Sequence, residues 1–93
     1  MRHSMVARHC IVKGHVQGVG FRFFTSRIAQ ECDIKGWVKN LPNGDVEIYA
    51  IGDNGAMDTF MRKIEEGPSW AIVEHITSRD VEPEPCSNFL IEE

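Results

Sequence analysis

The stretch that decides the fold is GWVKNLPNGDVEIYAIG, residues 36–52. Two runs of β-favouring residues flank the turn signal at residues 42–45, where Asn-Gly supplies the positive φ values of a tight hairpin turn. In the second run Val46, Ile48 and Ala50 occupy alternate positions, as on a strand with one buried face. The stretch therefore predicts an antiparallel hairpin in the middle of the chain.

Two elements are predicted before the hairpin. Residues 7–14 form a strand with Cys10 and Val12 on one face, because the side chains of a strand alternate. Residues 21–32 form a helix, because their apolar side chains recur three and four positions apart. Asp33 follows at a position that is usually glycine with positive φ. An aspartate in that conformation costs on the order of 1 kcal/mol.

A second helix and a further strand are predicted after the hairpin. Asp53 or Asn54 caps the helix, and Gly67 followed by proline ends it. Residues 70–77 form a strand, and residues 88–92 add a short last strand or an extension. The apolar stripe of the helix faces the core and consists of Met57, Phe60, Met61 and Ile64.

The predicted order β-α-β-β-α-β is that of an α+β, ferredoxin-like split βαβ fold. It has a four-stranded antiparallel sheet with two helices on one face. A chain of 93 residues is one domain, which buries only ~60% of the surface that its unfolded form exposes. We assign this domain to residues 7–93 and interpret residues 1–6 as a disordered leader or an expression-vector remnant.

Composition and charge limit the classes of function. The net charge is −4, whereas nucleic-acid binders usually carry a basic surplus or stripe. No apolar run approaches the ~20 residues of a transmembrane helix. Cys10, Cys32 and Cys86 are odd in number and lack a C-x-x-C spacing, which disfavours a disulfide framework or a zinc site. We expect free thiols, although one pair could form under oxidation.

The stretch KGHVQGVGFRFF, residues 13–24, concentrates three glycines in front of one arginine: Gly14, Gly18, Gly20 and Arg22. The stretch lies between a predicted strand and a helix N-terminus, where backbone N–H groups are unpaired and the helix dipole is positive. Glycines allow close approach and positive φ, so that successive N–H groups can form an anion nest. A guanidinium at the start of the helix matches a phosphate.

Known nucleotide-binding loops do not fit this stretch. A Walker A loop needs Gly-Lys-Ser/Thr at its end, and a dinucleotide loop needs a third glycine where Phe23 stands. The pattern therefore favours a small anion over a whole nucleotide. Taken alone, it also fits a plain tight turn followed by a solvated arginine, and Asn40 alone fits a strand-end residue that pairs with turn backbone.

Two blocks of the sequence resemble the signatures of the acylphosphatase family. VKGHVQGVGFR, residues 12–22, is similar to V-x-G-x-V-Q-G-V-x-F-R, and GWVKNLPNGDVE, residues 36–47, is similar to G-x-V-x-N-x-x-x-G-x-V-E. The resemblance extends from about residue 7 to residue 91 and implies the same ferredoxin-like fold. Asp33 and Cys32 depart from the family's usual Gly and Leu, which concerns local stability rather than activity.

The resemblance implies hydrolysis of acyl phosphates to a carboxylate and inorganic phosphate. It places the phosphate-binding arginine at Arg22 and the water-positioning asparagine at Asn40. It implies no metal and no cofactor, and we expect a cytoplasmic monomer that acts on a small-molecule acyl phosphate, without a nucleic-acid or membrane partner. The remaining phosphate ligands would be the backbone N–H groups of His15, Val16, Gln17, Gly18, Val19 and Gly20.

Other functions fit parts of the pattern. A non-catalytic anion- or ligand-binding module on the same fold would keep the loop but would not need Asn40. An acylphosphatase-like domain of larger carbamoyl-handling maturation enzymes would be expected within a longer chain, whereas this one ends at Glu93. A nucleic-acid binder is disfavoured by the charge. We expect His15 to be an exposed loop residue rather than a base, and Cys10 and Thr25 to pack rather than act as nucleophiles.

Overall fold

The computed structural model describes residues 5–93 and contains two helices and five strands within them. Residues 1–4, the greater part of the predicted leader, lie outside the described residues, and Met5 and Val6 belong to the first strand. The elements are β1 Met5–His15, α1 Phe21–Glu31, β2 Lys35–Asn40, β3 Val46–Asp53, α2 Asn54–Glu66, β4 Ile72–Val81 and β5 Phe89–Glu92. No helix in this range is long and apolar enough to cross a membrane.

The strands form one sheet in the order β4-β1-β3-β2-β5. The ferredoxin-like α+β fold is confirmed, but the predicted four-stranded antiparallel sheet is wrong in one respect. Residues 88–92, predicted as a short last strand or an extension, contain a fifth strand that pairs parallel to β2, with Phe89 opposite Gly36. Consequently the β2 edge of the predicted sheet is covered, and β5 becomes the edge strand.

The segment 82–88 between β4 and β5 explains how the chain reaches the far edge. The Tyr49 hydroxyl accepts a hydrogen bond from the Glu84 N–H at 2.8 Å and donates one to the Glu82 carbonyl at 3.4 Å. Cys86 packs with Tyr49 in a small apolar cluster on the sheet face that carries no helix. The segment therefore crosses the open face of the sheet and delivers β5 beside β2.

The main core lies between the two helices and the other face of the sheet. Alternate residues of β1 and β3 point into it, including Cys10, Val12 and Ile48, which confirms the predicted strand faces. The helix side chains predicted to face the core lie in or against it: Phe24, Ile28, Met57, Phe60 and Ile64 are buried and Met61 is partly buried. Burial of these side chains fixes the start of α1 next to the end of β1.

The hairpin turn has a different geometry from the predicted one. Gly44 takes a positive φ of 97°, but Asn43 does not. The loop spans residues 41–45 and is closed by the Leu41 N–H, which donates to the Asp45 carbonyl at 2.8 Å. Asn43 instead accepts a hydrogen bond from the Asp45 N–H through its side chain. The longer loop leaves glycine as the one loop residue in the left-handed region.

Asp33 ends α1 in the strained conformation that the sequence predicts, with φ 59°. Its N–H donates to the Gln30 carbonyl, and the Ile34 N–H donates to the Ala29 carbonyl, which is the Schellman pattern that glycine normally completes. The Asp33 carboxylate lies 3.2 Å from the Lys35 ammonium, but an exposed pair of this kind contributes little.

Replacing Asp33 with glycine is therefore expected to raise the free energy of unfolding by about 0.5–1 kcal/mol, because it removes the left-handed strain and retains both backbone hydrogen bonds. Urea denaturation followed by circular dichroism measures the change. Asp58→Gly is the matched control, because Asp58 is exposed within α2 and glycine there is expected to destabilise by roughly 0.5–1 kcal/mol. An equal decrease in the free energy of unfolding of both variants would contradict the strain at Asp33.

Candidate active site

The three glycines of the stretch 13–24 serve two different structural purposes, since Gly14 lies near the end of β1 and Gly18 and Gly20 lie in the loop before α1. Gly14 lies at an irregularity of the β1–β4 ladder and has φ 138°, and a Cβ there would be 2.0 Å from the Ile72 carbonyl oxygen. Glycine at this position therefore allows β4 to approach β1. Gly18 and Gly20 instead have φ values of 74° and 77°, which cost about 1–2 kcal/mol for residues with a side chain.

The backbone of residues 16–20 presents unpaired donors. Within the part of the chain that the structure describes, none of these five N–H groups makes a backbone hydrogen bond. Gly20 is the N-cap of α1, which has no side-chain cap and no acidic residue in its first turn. Unpaired N–H groups at the positive end of a helix bind anions, so the loop has the properties of an oxyanion cradle.

Arg22 lies in the first turn of α1 and is held by the last strand. Its Nη1 donates to the backbone carbonyl of Glu92 at 2.8 Å. Because a guanidinium has five N–H donors, this contact fixes the side chain and leaves donors for an anion. The anchor depends on β5, the strand whose pairing the sequence did not specify.

Asn40 is the last residue of β2 and lines the same cavity as Arg22. This cavity has a volume of about 190 Å³, and Gly18 and Gly20 also line it. Asn40 Oδ1 is buried and accepts no hydrogen bond from residues 5–93, so it does not pair with the turn backbone. Since a buried acceptor left unsatisfied costs about 1–3 kcal/mol, this oxygen is suited to accept a hydrogen bond from water or substrate.

Gln17 joins the glycine loop to the hairpin that carries Asn40. Its Nε2 donates to the backbone carbonyls of Leu41 and Asp45, both at 2.7 Å. The sequence predicts a role only for the backbone N–H of Gln17, because this side-chain contact joins segments more than twenty residues apart. The contact fixes the distance between the anion cradle and the end of β2.

The side chains of the other polar residues singled out near the loop lie outside this arrangement. His15 is exposed and does not line the cavity. Thr25 is buried, and its Oγ1 donates to the Phe21 carbonyl at 2.9 Å. Burial raises the pKa of the Cys10 thiol, whose Sγ contacts Met61 and Ser78. The predicted packing roles of Cys10 and Thr25 are confirmed.

A larger cavity of about 430 Å³ lies between β4 and α2 and contains neither Arg22 nor Asn40. Its lining carries charges of both signs, from Arg8 and from Glu65 and Glu74, so it does not favour an anionic ligand. Within residues 5–93, no three His, Cys, Asp or Glu side chains are placed to hold a metal ion. The smaller cavity beside the glycine loop combines a cation, free backbone donors and an unpaired carboxamide.

Comparison with known proteins points to one family. The family model described as Acylphosphatase matches residues 8–91. A relative from Archaeoglobus fulgidus, named Acylphosphatase, is 46% identical over 87 residues, which are 94% of this chain and 98% of that protein. The similarity thus extends over nearly the whole length of both chains.

Solved structures agree with the sequence comparison. The crystal structure of an acylphosphatase from Bacillus subtilis superposes with a TM-score of 0.92 at 35% identity, covering 95% of this chain and 99% of that one. Full-length HypF in its phosphate- and nucleotide-bound form matches with a TM-score of 0.89 at 32% identity, covering 100% of this chain but 12% of that one. The same fold therefore occurs both as nearly a whole chain and as one part of a larger protein.

Proposed function

This chain belongs to the acylphosphatase family and hydrolyses acyl phosphates, and on that premise we propose how its residues perform the reaction. Arg22 and the backbone N–H groups of residues 15–20 bind the phosphoryl group, and Asn40 positions the attacking water. The observation that carries the proposal is the single cavity in which Arg22, Gly18, Gly20 and Asn40 meet.

The phosphoryl group is bound by charge and by oriented dipoles. Its oxygens accept hydrogen bonds from the unpaired N–H groups of the glycine loop and from the guanidinium of Arg22. The contact between Arg22 and the Glu92 carbonyl sets the orientation of the guanidinium before substrate binds. Donors that are already oriented stabilise the charge of the transition state without the cost of reorganisation.

Asn40 directs the nucleophile without changing its own charge. A carboxamide both donates and accepts hydrogen bonds, and the unpaired Asn40 Oδ1 accepts one from the attacking water. The water oxygen then approaches the phosphorus from a fixed direction. Such positioning makes the attack effectively unimolecular, because the entropy loss of bringing water and substrate together occurs before the chemical step.

The reaction needs little acid–base catalysis, because a carboxylate is a good leaving group. The water oxygen forms a new bond to phosphorus as the bond from phosphorus to the bridging acyl oxygen breaks. The electron pair of that bond leaves with the carboxylate, and a water proton is transferred to a phosphoryl oxygen. The products are the carboxylate and inorganic phosphate, without a covalent enzyme intermediate.

Hydrolysis of benzoyl phosphate in ¹⁸O-labelled water tests this reaction path. Attack at phosphorus places the label in inorganic phosphate, and mass spectrometry of both products measures its position. Label in benzoate would show attack at the acyl carbon and would contradict the positioning of water beside the phosphoryl group.

The proposal predicts a kcat that is nearly constant from about pH 5 to 7. Neither the carboxamide of Asn40 nor the guanidinium of Arg22 donates or accepts a proton in the proposed mechanism, so neither group produces the bell of an acid–base pair. Steady-state kinetics with wild type and His15→Ala measures the profile, and both are expected to give the same flat curve. A sharp bell with a limb that His15→Ala removes would instead identify His15 as a base.

We further propose that residues 7–93 act as a cytoplasmic monomeric domain. Cys10, Cys32 and Cys86 are all free thiols in the structure, which fits a reducing compartment. Light scattering on the purified protein tests the monomer and is expected to give a mass near 10.5 kDa. A mass of twice that value would contradict it.

A further inference from the structure

Two apolar side chains lie exposed at the candidate active site. Phe23 has 69% of its surface exposed and Ile91 has 42%, and both line the cavity that contains Arg22 and Asn40. Phe23 follows Arg22 in the first turn of α1, and Ile91 precedes Glu92, whose carbonyl holds Arg22. Single exposed apolar residues are common, but here two from distant segments meet at one cavity.

The size of this cavity separates a phosphoryl site from a site for the rest of the substrate. Its volume of about 190 Å³ is smaller than the roughly 300–1,000 Å³ of pockets that enclose a drug-sized ligand. The cavity therefore suits a phosphoryl group, and an acyl group bonded to it must extend to the rim. Phe23 and Ile91 are the exposed surfaces that the acyl group meets there.

The charges at the cavity restrict the chemistry of the acyl group. Arg22 is the one charged residue in the lining, and its guanidinium is engaged by the phosphoryl group in the proposed mechanism. No second cation lines the cavity to pair with another anionic group. An acyl chain with its own carboxylate or phosphate would thus place a charge against apolar side chains, which is unfavourable.

From these observations we propose that Phe23 and Ile91 form an acyl-binding surface that selects acyl phosphates with an uncharged apolar acyl group, such as an aromatic one. The inference rests on the proposed function, since it needs the phosphoryl group beside Arg22. Contact with the acyl group removes apolar surface of Phe23 from water. An aromatic acyl group also stacks on the ring.

This surface acts on binding and not on the chemical step. The acyl group changes little between bound substrate and transition state, and uniform binding lowers KM without raising kcat. Phe23→Ala is expected to raise KM for benzoyl phosphate about ten-fold with kcat nearly unchanged, within the range that apolar pocket contacts give. KM for acetyl phosphate, whose acyl group is a single methyl, is expected to change less than about two-fold.

Steady-state kinetics with benzoyl, acetyl and succinyl phosphate tests the proposal, the last bearing a second carboxylate. Wild type is expected to have its lowest KM for benzoyl phosphate, and Phe23→Leu is expected to retain part of the preference. Trp70→Ala is the matched control: Trp70 is an aromatic residue with 60% exposure whose Nε1 is 3.9 Å from a Cβ placed on Gly20, but it does not line the cavity.

The outcomes separate this inference from the proposed function. If Phe23→Ala raises KM equally for benzoyl and acetyl phosphate, or if Trp70→Ala removes the preference instead, the acyl surface is wrong while the hydrolysis stands. A lower wild-type KM for succinyl than for benzoyl phosphate would also overturn it. If wild type hydrolyses none of the three substrates, the proposed function itself fails.

Discussion

Arg22→Ala is expected to lower kcat/KM for benzoyl phosphate by about 10³-fold or more. Removing one neutral preorganised donor costs about 10²–10³-fold, and Arg22 supplies a full charge and several donors to the same group. Arg22 is partly exposed and its side chain makes one hydrogen bond within residues 5–93, to the Glu92 carbonyl. The loss should therefore appear in activity, while the far-ultraviolet circular dichroism spectrum stays that of wild type.

Two further variants identify the cause of that loss. Arg22→Lys keeps the charge but loses the planar fork, so an intermediate activity is expected. Arg27→Ala, an exposed arginine one to two turns further along α1, should retain wild-type kinetics because it lies outside the cavity. Activity of Arg22→Ala within ten-fold of wild type would show that the phosphoryl group binds elsewhere.

Asn40→Ala is expected to reduce kcat by about 10²–10³-fold, the range found for a single positioned polar group. The substrate still binds Arg22 and the glycine loop, so KM should change much less than kcat. The unpaired Oδ1 of Asn40 also leads to an expectation for the stability of this variant. Because Asn40 Oδ1 accepts no hydrogen bond from residues 5–93, the free energy of unfolding should change by less than about 1 kcal/mol.

Asn88→Ala serves as the control for Asn40→Ala, because Asn88 is exposed in the segment before β5 and its side chain lies outside the cavity. Kinetics and urea denaturation are measured on both variants. Wild-type kcat in Asn40→Ala would refute the assigned role, and a loss of stability of several kcal/mol would mean that Asn40 is structural.

The elements of this fold were predictable because their signals are local. The alternation in Val46, Ile48 and Ala50 and the i, i+4 spacing of Phe24 and Ile28 depend only on neighbouring residues. The parallel pairing of β5 with β2 could not be predicted. It depends on the segment 82–88, which crosses the open face of the sheet and is bound there by the Tyr49 hydroxyl. The sequence around Tyr49 does not indicate that its hydroxyl binds backbone groups more than thirty residues away.

The candidate site likewise has a part that local sequence predicts and a part that depends on contacts between remote segments. The glycine loop and Arg22 stand in one short stretch, so their proximity follows from the sequence. The contacts that join this loop to the rest of the site are Gln17 to the hairpin and Glu92 to Arg22, and both connect remote segments. In the sequence Gly14 belongs to the glycine-rich stretch, but in the structure it allows the close approach of β4 to β1. This role depends on the pairing of the two strands, which the sequence does not specify.

The central claim is that one cavity binds the phosphoryl group by backbone amides and a guanidinium, next to the carboxamide that directs water. A crystal structure with bound inorganic phosphate tests it most directly. We expect the anion within hydrogen-bond distance of the N–H groups of residues 15–20 and of the Arg22 guanidinium, with Asn40 facing it. Phosphate bound in the cavity between β4 and α2, with the glycine loop empty, would contradict the account.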